Sequence, residues 1–337
     1  MKVHVLVLLL LLFNAFDIKA QKMEPATNVA ATGFSAERLK RIDDQMNDWV
    51  KKGWLNGAVG LIVRNGKVVY YKPAGYNDLA SKKALAKDDI FRIASQTKAI
   101  TSVAVMMLYE EGKFLLDDAI AAYIPSFANE TVLDKFNEKD STYTTITAKR
   151  QATIRDLLTH TSGLGYAQIG SKETNAIYAK NNITAGIDVH DDKLSEAMSR
   201  LGKLPLMHQP GERWTYGLNV DVLGDLVEIW SGMSLDEFFR TRIFEPLGMG
   251  DTYFNVPATK ANRLVNMYSE DSLGVLQKVS GAALGGNINY PLRKKDYFSG
   301  GAGLSSTAYD YAVFLQMMLN GGTYNGKRIL SRNTVRM

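Results

Sequence analysis

The spacing of apolar residues changes period along the chain. Leu39, Ile42, Met46 and Val50 fall three or four apart, so residues 36–52 read as an amphipathic helix, with Ser35 as its N-cap and Gly53 closing it. Residues 57–63 are a continuous apolar run, Asn65-Gly66 is a hairpin turn, and Val68-Val69-Tyr70-Tyr71 is the return strand. Residues 74–89 are small and charged and read as a loop. A helix is expected over 91–112, with Ile100, Val103, Met106 and Met107 on a broad apolar face and Gly112 at its end. Further helices are expected over 154–160, 192–201, 221–230, 235–244 (ended by Pro246) and 307–319, and another begins near Ser331. Tyr311, Phe314, Leu315 and Met318 mark the face of 307–319. Residues 126–150 are polar and turn-like. Residues 166–191 lack strong periodicity and are expected to wall a pocket. Residues 253–256 and 275–279 read as short strands or loop edges, and Gly300-Gly301-Ala302-Gly303 as a place of close backbone approach. Strands near the N-terminus and after Thr252 thus bracket a mostly helical stretch, about 116–250, expected to form a lobe of its own.

One of these helices carries chemistry. Ser95 and Lys98 stand three apart, which puts an ammonium beside a hydroxyl on one helix face, close to the positive end of the dipole. A serine becomes a nucleophile when a neighbouring base takes its proton, and a lysine can be that base. The bland alternative is a capping serine and an ordinary first-turn lysine. No second Ser-x-x-Lys occurs in the chain.

The surroundings of the motif decide between them. Phe-Arg-Ile-Ala-Ser-Gln-Thr-Lys at 91–98, Thr-Ile-Arg-Asp-Leu-Leu-Thr-His-Thr-Ser-Gly-Leu at 153–164 and Pro-Gly-Glu-Arg-Trp-Thr-Tyr at 210–216 follow one another in order. Ile-Phe-Glu-Pro-Leu-Gly-Met at 243–249 and Gly-Gly-Ala-Gly-Leu-Ser-Ser-Thr-Ala-Tyr-Asp at 300–310 complete the series. In these blocks the chain resembles the serine β-lactamase and penicillin-binding-protein superfamily, nearest its class C β-lactamase-related esterases, peptidases and carboxypeptidases. The resemblance runs from about residue 34 to the last residue. It implies an α/β (α+β) fold, β-lactamase/transpeptidase-like, with an antiparallel sheet flanked by helices plus a helical lobe. It implies an acyl-enzyme formed through Ser95 with Lys98 as base. Tyr216 matches the family's proton carrier for the leaving group and the deacylating water. Ser95 would supply one oxyanion donor from its backbone N–H. The family's second donor lies on a late strand beside Lys-Thr-Gly, His-x-Gly or Trp-x-Gly. None of these follows Met249. The second donor is therefore expected outside this chain, which reads as C-terminally truncated, with an unfinished sheet, an exposed strand edge, poor solubility and little activity.

The chain departs from the family at the second motif. Leu218 stands where the asparagine of Tyr-x-Asn would be, and Asn219, one residue late, is the candidate substrate-binding residue. The literal Tyr253-Phe254-Asn255 is read as a decoy, because it follows the 243–249 block. The poor match favours esters or D-amino-acid peptides over β-lactams. A class C-like β-lactamase, and a non-catalytic protein binding cell-wall peptides, are the alternatives.

Composition narrows the picture further. The chain of 337 residues has 40 basic and 35 acidic residues, a formal net charge of +5, and no basic stripe with interleaved aromatics, which argues against a nucleic-acid partner. There is no cysteine, so neither a thiol nucleophile nor a disulfide is available. His4, His160, His190 and His208 lack metal-ligand spacing, and no metal or cofactor is expected. His160, beside Leu157 and Leu158, is read as bracing a helix end rather than joining a triad. Gly-x-Ser-x-Gly is absent, which removes the α/β-hydrolase reading. Met1-Lys2 followed by the apolar stretch from Val5 to Phe13 reads as a secretory signal cut after Ala20, with 21–33 as a linker. A secreted or periplasmic protein without a stable membrane anchor is expected, and the family resemblance implies as its partner a small ester, amide or β-lactam, or a cell-wall peptide.

Overall fold

The structure is a computed structural model that describes residues 22–183, 186–187, 192–283 and 286–337. The expected signal stretch and His190 lie outside these residues. Among them, no helix is long and apolar enough to cross a membrane.

The sheet grows from the expected hairpin. β2 (Gly57–Arg64) and β3 (Lys67–Asp78) pair antiparallel through Asn65 and Gly66, both at positive φ, with an irregularity between Ile62 and Val63. β3 runs past the expected return strand, and β4 (Lys83–Ala84) pairs with it in what read as a loop. β1 (Glu24–Pro25) adds in parallel on the other side of β3, giving the order β1-β3-β2. The expected linker is therefore packed structure. Met23 is buried, donates its N–H to Tyr324 Oη at 3.0 Å and accepts from Tyr309 Oη at 3.4 Å.

Helix α1 (Ala36–Lys51) has the expected cap, Ser35 accepting from the Arg38 N–H. It covers the hairpin with Leu39, Ile42 and Met46, which meet Ala58, Ile62 and Tyr70 in a small separate core. On the other side lies α8 (Ala308–Leu319), capped by Thr307. It buries Val313, Phe314 and Met317, while Leu315 is 47% exposed. The inward face is thus rotated from the expected one, because this helix is covered on two sides and its apolar residues run most of the way round.

The large core belongs to the helical part. α2 (Thr97–Glu110) packs on α6 (Asn219–Ser231). That helix also meets α3 (Ile154–Leu158), α5 (Leu194–Leu201) and α7 (Leu235–Phe239). A π-type turn continues α7 to Phe244, and Pro246 sits in one further turn that Gly248 closes at φ +73°. Pro246 therefore does not end the run; in a first turn its missing N–H costs nothing. Two parts of the lobe escaped the helical reading. Residues 126–150 contain a hairpin, β5 (Thr131–Phe136) with β6 (Tyr143–Thr147). Its second strand is exposed throughout, so no apolar run marks it, although its threonines and Ile146 favour strand. Within 166–191, α4 (Lys172–Lys180) is a capped helix. Of the late strands, Leu276–Lys278 pairs with Tyr268–Glu270, whereas Tyr253 makes only a single bridge, to Ser305.

Candidate active site

Ser95 does not open α2 directly. A two-residue strand, Phe91–Arg92, pairs with Ser305–Ser306 and brings the chain to Ala94, which is held at φ +43°. One 3-10 turn (Ala94–Gln96) then carries Ser95, and α2 begins at Thr97. Non-glycine residues rarely occupy such a backbone region, and strain of this kind gathers at functional sites. Ser95 is exposed at the foot of the helix, while Lys98, one turn on, is half-buried.

The lysine is held from three directions. Its Nζ donates to the Gly301 carbonyl at 2.7 Å and to Ser95 Oγ at 3.2 Å, and lies 4.8 Å from the centre of the Tyr216 ring. The expected close backbone approach is what allows this. A Cβ on Gly301 would fall 2.3 Å from Asp221 Oδ2. Asp221 accepts from Ser299 Oγ at 2.5 Å and from the Gly301 N–H at 3.3 Å, so α6 fixes the strand of glycines that grips Lys98. The Gly300 carbonyl is tied back to α2 through Thr101 Oγ1 at 2.7 Å.

Tyr216 arrives from 121 residues away, and its Oη stands 2.6 Å from Ser95 Oγ. Its backbone is set by the Thr215 N–H, which donates to the His160 carbonyl, and by Gly217, which lies against the Leu164 carbonyl where a Cβ would come within 2.0 Å. The ring stacks on His160 (centroids 5.5 Å apart, planes at 12°) and on Tyr166 (5.3 Å, 10°). Trp214 approaches the same group at 6.1 Å and is 64% exposed. Burial first, then Asp221, pushes the Tyr166 phenol far above its ordinary range, so it stays protonated.

Asn219 is not in the open. It is fully buried, its Oδ1 accepting from Ser162 Oγ at 2.5 Å and its Nδ2 set 3.0 Å from His160 Nδ1. The expected substrate contact is corrected: α6 begins at this residue, and its first turn points Asn219 into the protein. Leu218, in the position of the motif asparagine, is likewise fully buried. Tyr253, the decoy, donates to the Gly250 carbonyl and accepts from Lys260 Nζ, away from Ser95. His160 does not merely brace a helix end. It lies beyond the end of α3 at φ +57°, with its ring on Tyr216. Its place in the 153–164 block was the only sequence sign of this, and Tyr166 had none.

Two hollows flank the centre. One of about 330 Å³ opens beside Ala94, lined by Phe91, Val265, Met267, Tyr268 and Tyr290 among others. The other, about 460 Å³, lies on the Tyr216 side with Tyr166, Thr215, Arg213, Glu173 and Asp134. A groove of about 560 Å³ between β2 and α8 is lined by none of Ser95, Lys98 and Tyr216. Among the described residues no group of His, Asp and Glu could hold a metal ion.

Known proteins share this arrangement of chain. A family model described as Beta-lactamase matches residues 39–337. Esterase EstB of Burkholderia gladioli is 31% identical over 298 residues, covering 85% of this chain and 72% of its own. A putative D-alanyl-D-alanine carboxypeptidase of Escherichia coli K12 is 31% identical over 325 residues, 90% of this chain and 69% of its own. Among solved structures, EstCE1, described as a hydrolase with promiscuous acyltransferase activity, aligns with a TM-score of 0.75 at 25% identity, over 91% of this chain and 77% of its own. The mixed α/β architecture and these matches agree: the chain belongs to the β-lactamase family of serine hydrolases.

Proposed function

We propose that this protein hydrolyses small carboxylic esters through an acyl-enzyme on Ser95, with D-amino-acid amides as the second substrate class. The observation that carries the reading is the contact of one exposed hydroxyl with both a lysine and a tyrosine, at 3.2 and 2.6 Å. In the proposed cycle the Lys98 ammonium first loses a proton to solvent and then acts as the amine base. The Gly301 carbonyl then retains one N–H and leaves the lone pair for the Ser95 proton. Ser95 Oγ bonds to the acyl carbon, and Tyr216 gives its proton to the departing oxygen or nitrogen. Lys98 returns a proton to Tyr216. A water then loses its proton to the same pair, attacks the acyl carbon, and Ser95 leaves reprotonated. The Ser95 N–H would face the oxyanion.

Esters are favoured over β-lactams because the Tyr-x-Asn position presents no exposed asparagine amide. Leu218 and Asn219 are both buried, so the hold on a substrate amide that the motif provides in its relatives is missing. The names esterase and D-alanyl-D-alanine carboxypeptidase among the relatives fit this choice. The apolar stretch from Val5 to Phe13 supports a secreted destination, with a small-molecule or cell-wall peptide partner rather than nucleic acid. The test is a panel of p-nitrophenyl esters, a chromogenic cephalosporin and a D-Ala-D-Ala peptide, together with a fluorophosphonate that phosphonylates a reactive serine and releases fluoride. Ester turnover and labelling that disappear in Ser95→Ala are expected. Labelling that survives in Ser95→Ala would move the nucleophile elsewhere.

A further inference from the structure

The groups behind Tyr216 form a chain of their own. Ser162 Oγ accepts from the Leu164 N–H at 3.1 Å and gives its hydrogen to Asn219 Oδ1. That fixes the amide, so its NH2 faces His160 Nδ1 at 3.0 Å. An imidazole nitrogen opposite an amide donor must accept, and the proton of the neutral ring then sits on Nε2. The same ring lies flat on Tyr216, whose hydroxyl touches Ser95.

We propose that His160 is the positioning residue for Tyr216, kept as the Nε2–H tautomer by Asn219, and that adding a proton to it releases Tyr216 from Ser95. The proposal rests on the serine-hydrolase reading of Ser95. Protonation would place an N–H at Nδ1 against the Asn219 NH2, and Ser162 prevents the amide from turning. It would also bring a second cation to the Tyr216 stack that Lys98 already occupies. The other charged groups packed around this point are engaged elsewhere. Asp156 on α3 is taken by Arg150, Thr153 and Thr161, and Asp221 on α6 by Ser299 and Gly301. Tyr166 is held neutral, and His208 bonds to Thr215 and the Gln209 carbonyl. Among the described residues no carboxylate therefore rewards the imidazolium. In agreement, burial and then Lys98 hold His160 below its ordinary 6.5.

Three variants separate this role from a structural one. The rate kcat/KM for p-nitrophenyl butyrate is followed between about pH 4.5 and 8, around the ordinary histidine range. In Asn219→Asp a carboxylate meets Nδ1 and favours the imidazolium, so the acid limb moves up by about one unit or more. In His160→Phe the stack is kept and the titration is lost, so the limb moves to lower pH, whereas His160→Ala lowers kcat more than it changes KM. The His160 ring, assigned by its absence in His160→Phe, is followed by NMR in the intact chain and titrates below 6.5. This readout stands even if Asn219→Asp fails to fold. An acid limb unmoved in His160→Phe, or a His160 ring titrating at or above 6.5, overturns the proposal. If the fluorophosphonate labels Ser95 in the wild type, such a result leaves the hydrolase reading intact. If Ser95 is never labelled, both readings fall.

Discussion

At the scale of single residues, the two tyrosines offer the sharpest comparison. Tyr216 and Tyr253 each sit beside a lysine ammonium, yet only Tyr216 touches Ser95. Tyr216→Phe is expected to lower ester turnover on the order of 10²–10⁴-fold, the usual loss when a proton carrier is removed, while Tyr253→Phe leaves it near wild type. Equal losses, at matched thermal stability, would show that both act through the fold alone. Lys98→Ala is expected to lose nucleophilic reactivity of Ser95 over the same range, read as the rate of fluorophosphonate labelling. Ser95 and Lys98 were legible because a helix turn converts a spacing of three into contact, a rule that needs no distant information. Tyr216 obeys no such rule; only the run of blocks around it pointed there. Asn219 was misread for a related reason: sequence gives its place next to Tyr216 but not the direction in which the first turn of α6 aims it.

At the scale of elements, the glycine segment before α8 matters more than any helix. It has no hydrophobic period to announce it, and it works by lacking side chains. Gly301→Ala sets a Cβ against Asp221 and must push the carbonyl that holds Lys98. A loss of about 1–3 kcal/mol of stability is expected from the overpacking, and turnover should fall further than that loss explains. Denaturant unfolding and ester kinetics on the same preparation separate the two; unchanged kinetics would show that Lys98 does not depend on this carbonyl. Elements with one buried stripe, such as α1, were legible with their caps. The exposed β6 and the rotated face of α8 were not, because burial on neither side and burial on two sides both erase a simple amphipathic pattern.

For the molecule as a whole, three buried carboxyls each tie part of the stability to pH. Burial raises Glu130 to about 7, Asp225 to about 7 and Asp310 to about 6. Each binds its proton more tightly folded than unfolded. Their contribution is complete below the ordinary carboxyl range and is lost as pH rises through 6 to 7. Glu130 accepts the Ala152 N–H on one oxygen, and its other oxygen is buried with no hydrogen-bond partner among the described residues. Glu130→Gln keeps the accepting oxygen and removes the titration. Its melting temperature is expected to exceed the wild type at about pH 8 and to match it near pH 5, where the acid is already neutral. A gain of equal size at both values would trace the effect to packing instead. None of this was legible from the sequence, since an acid in a polar stretch gives no sign of being enclosed.

The four indoles are spread across these regions. Trp49 and Trp54 stand by the sheet, Trp230 is stacked on Phe114 within the helical core, and Trp214 stands exposed beside the catalytic tyrosine candidate. Its ring also lies 6.0 Å from His160. A protonated imidazole quenches indole emission, and a ligand entering beside Tyr216 changes the water around that indole. The difference in fluorescence between the wild type and Trp214→Phe should therefore report occupancy of the site and the charge on His160 with no substrate consumed. The stacked aromatics that hold Tyr216 in place thus also make the candidate site visible to light.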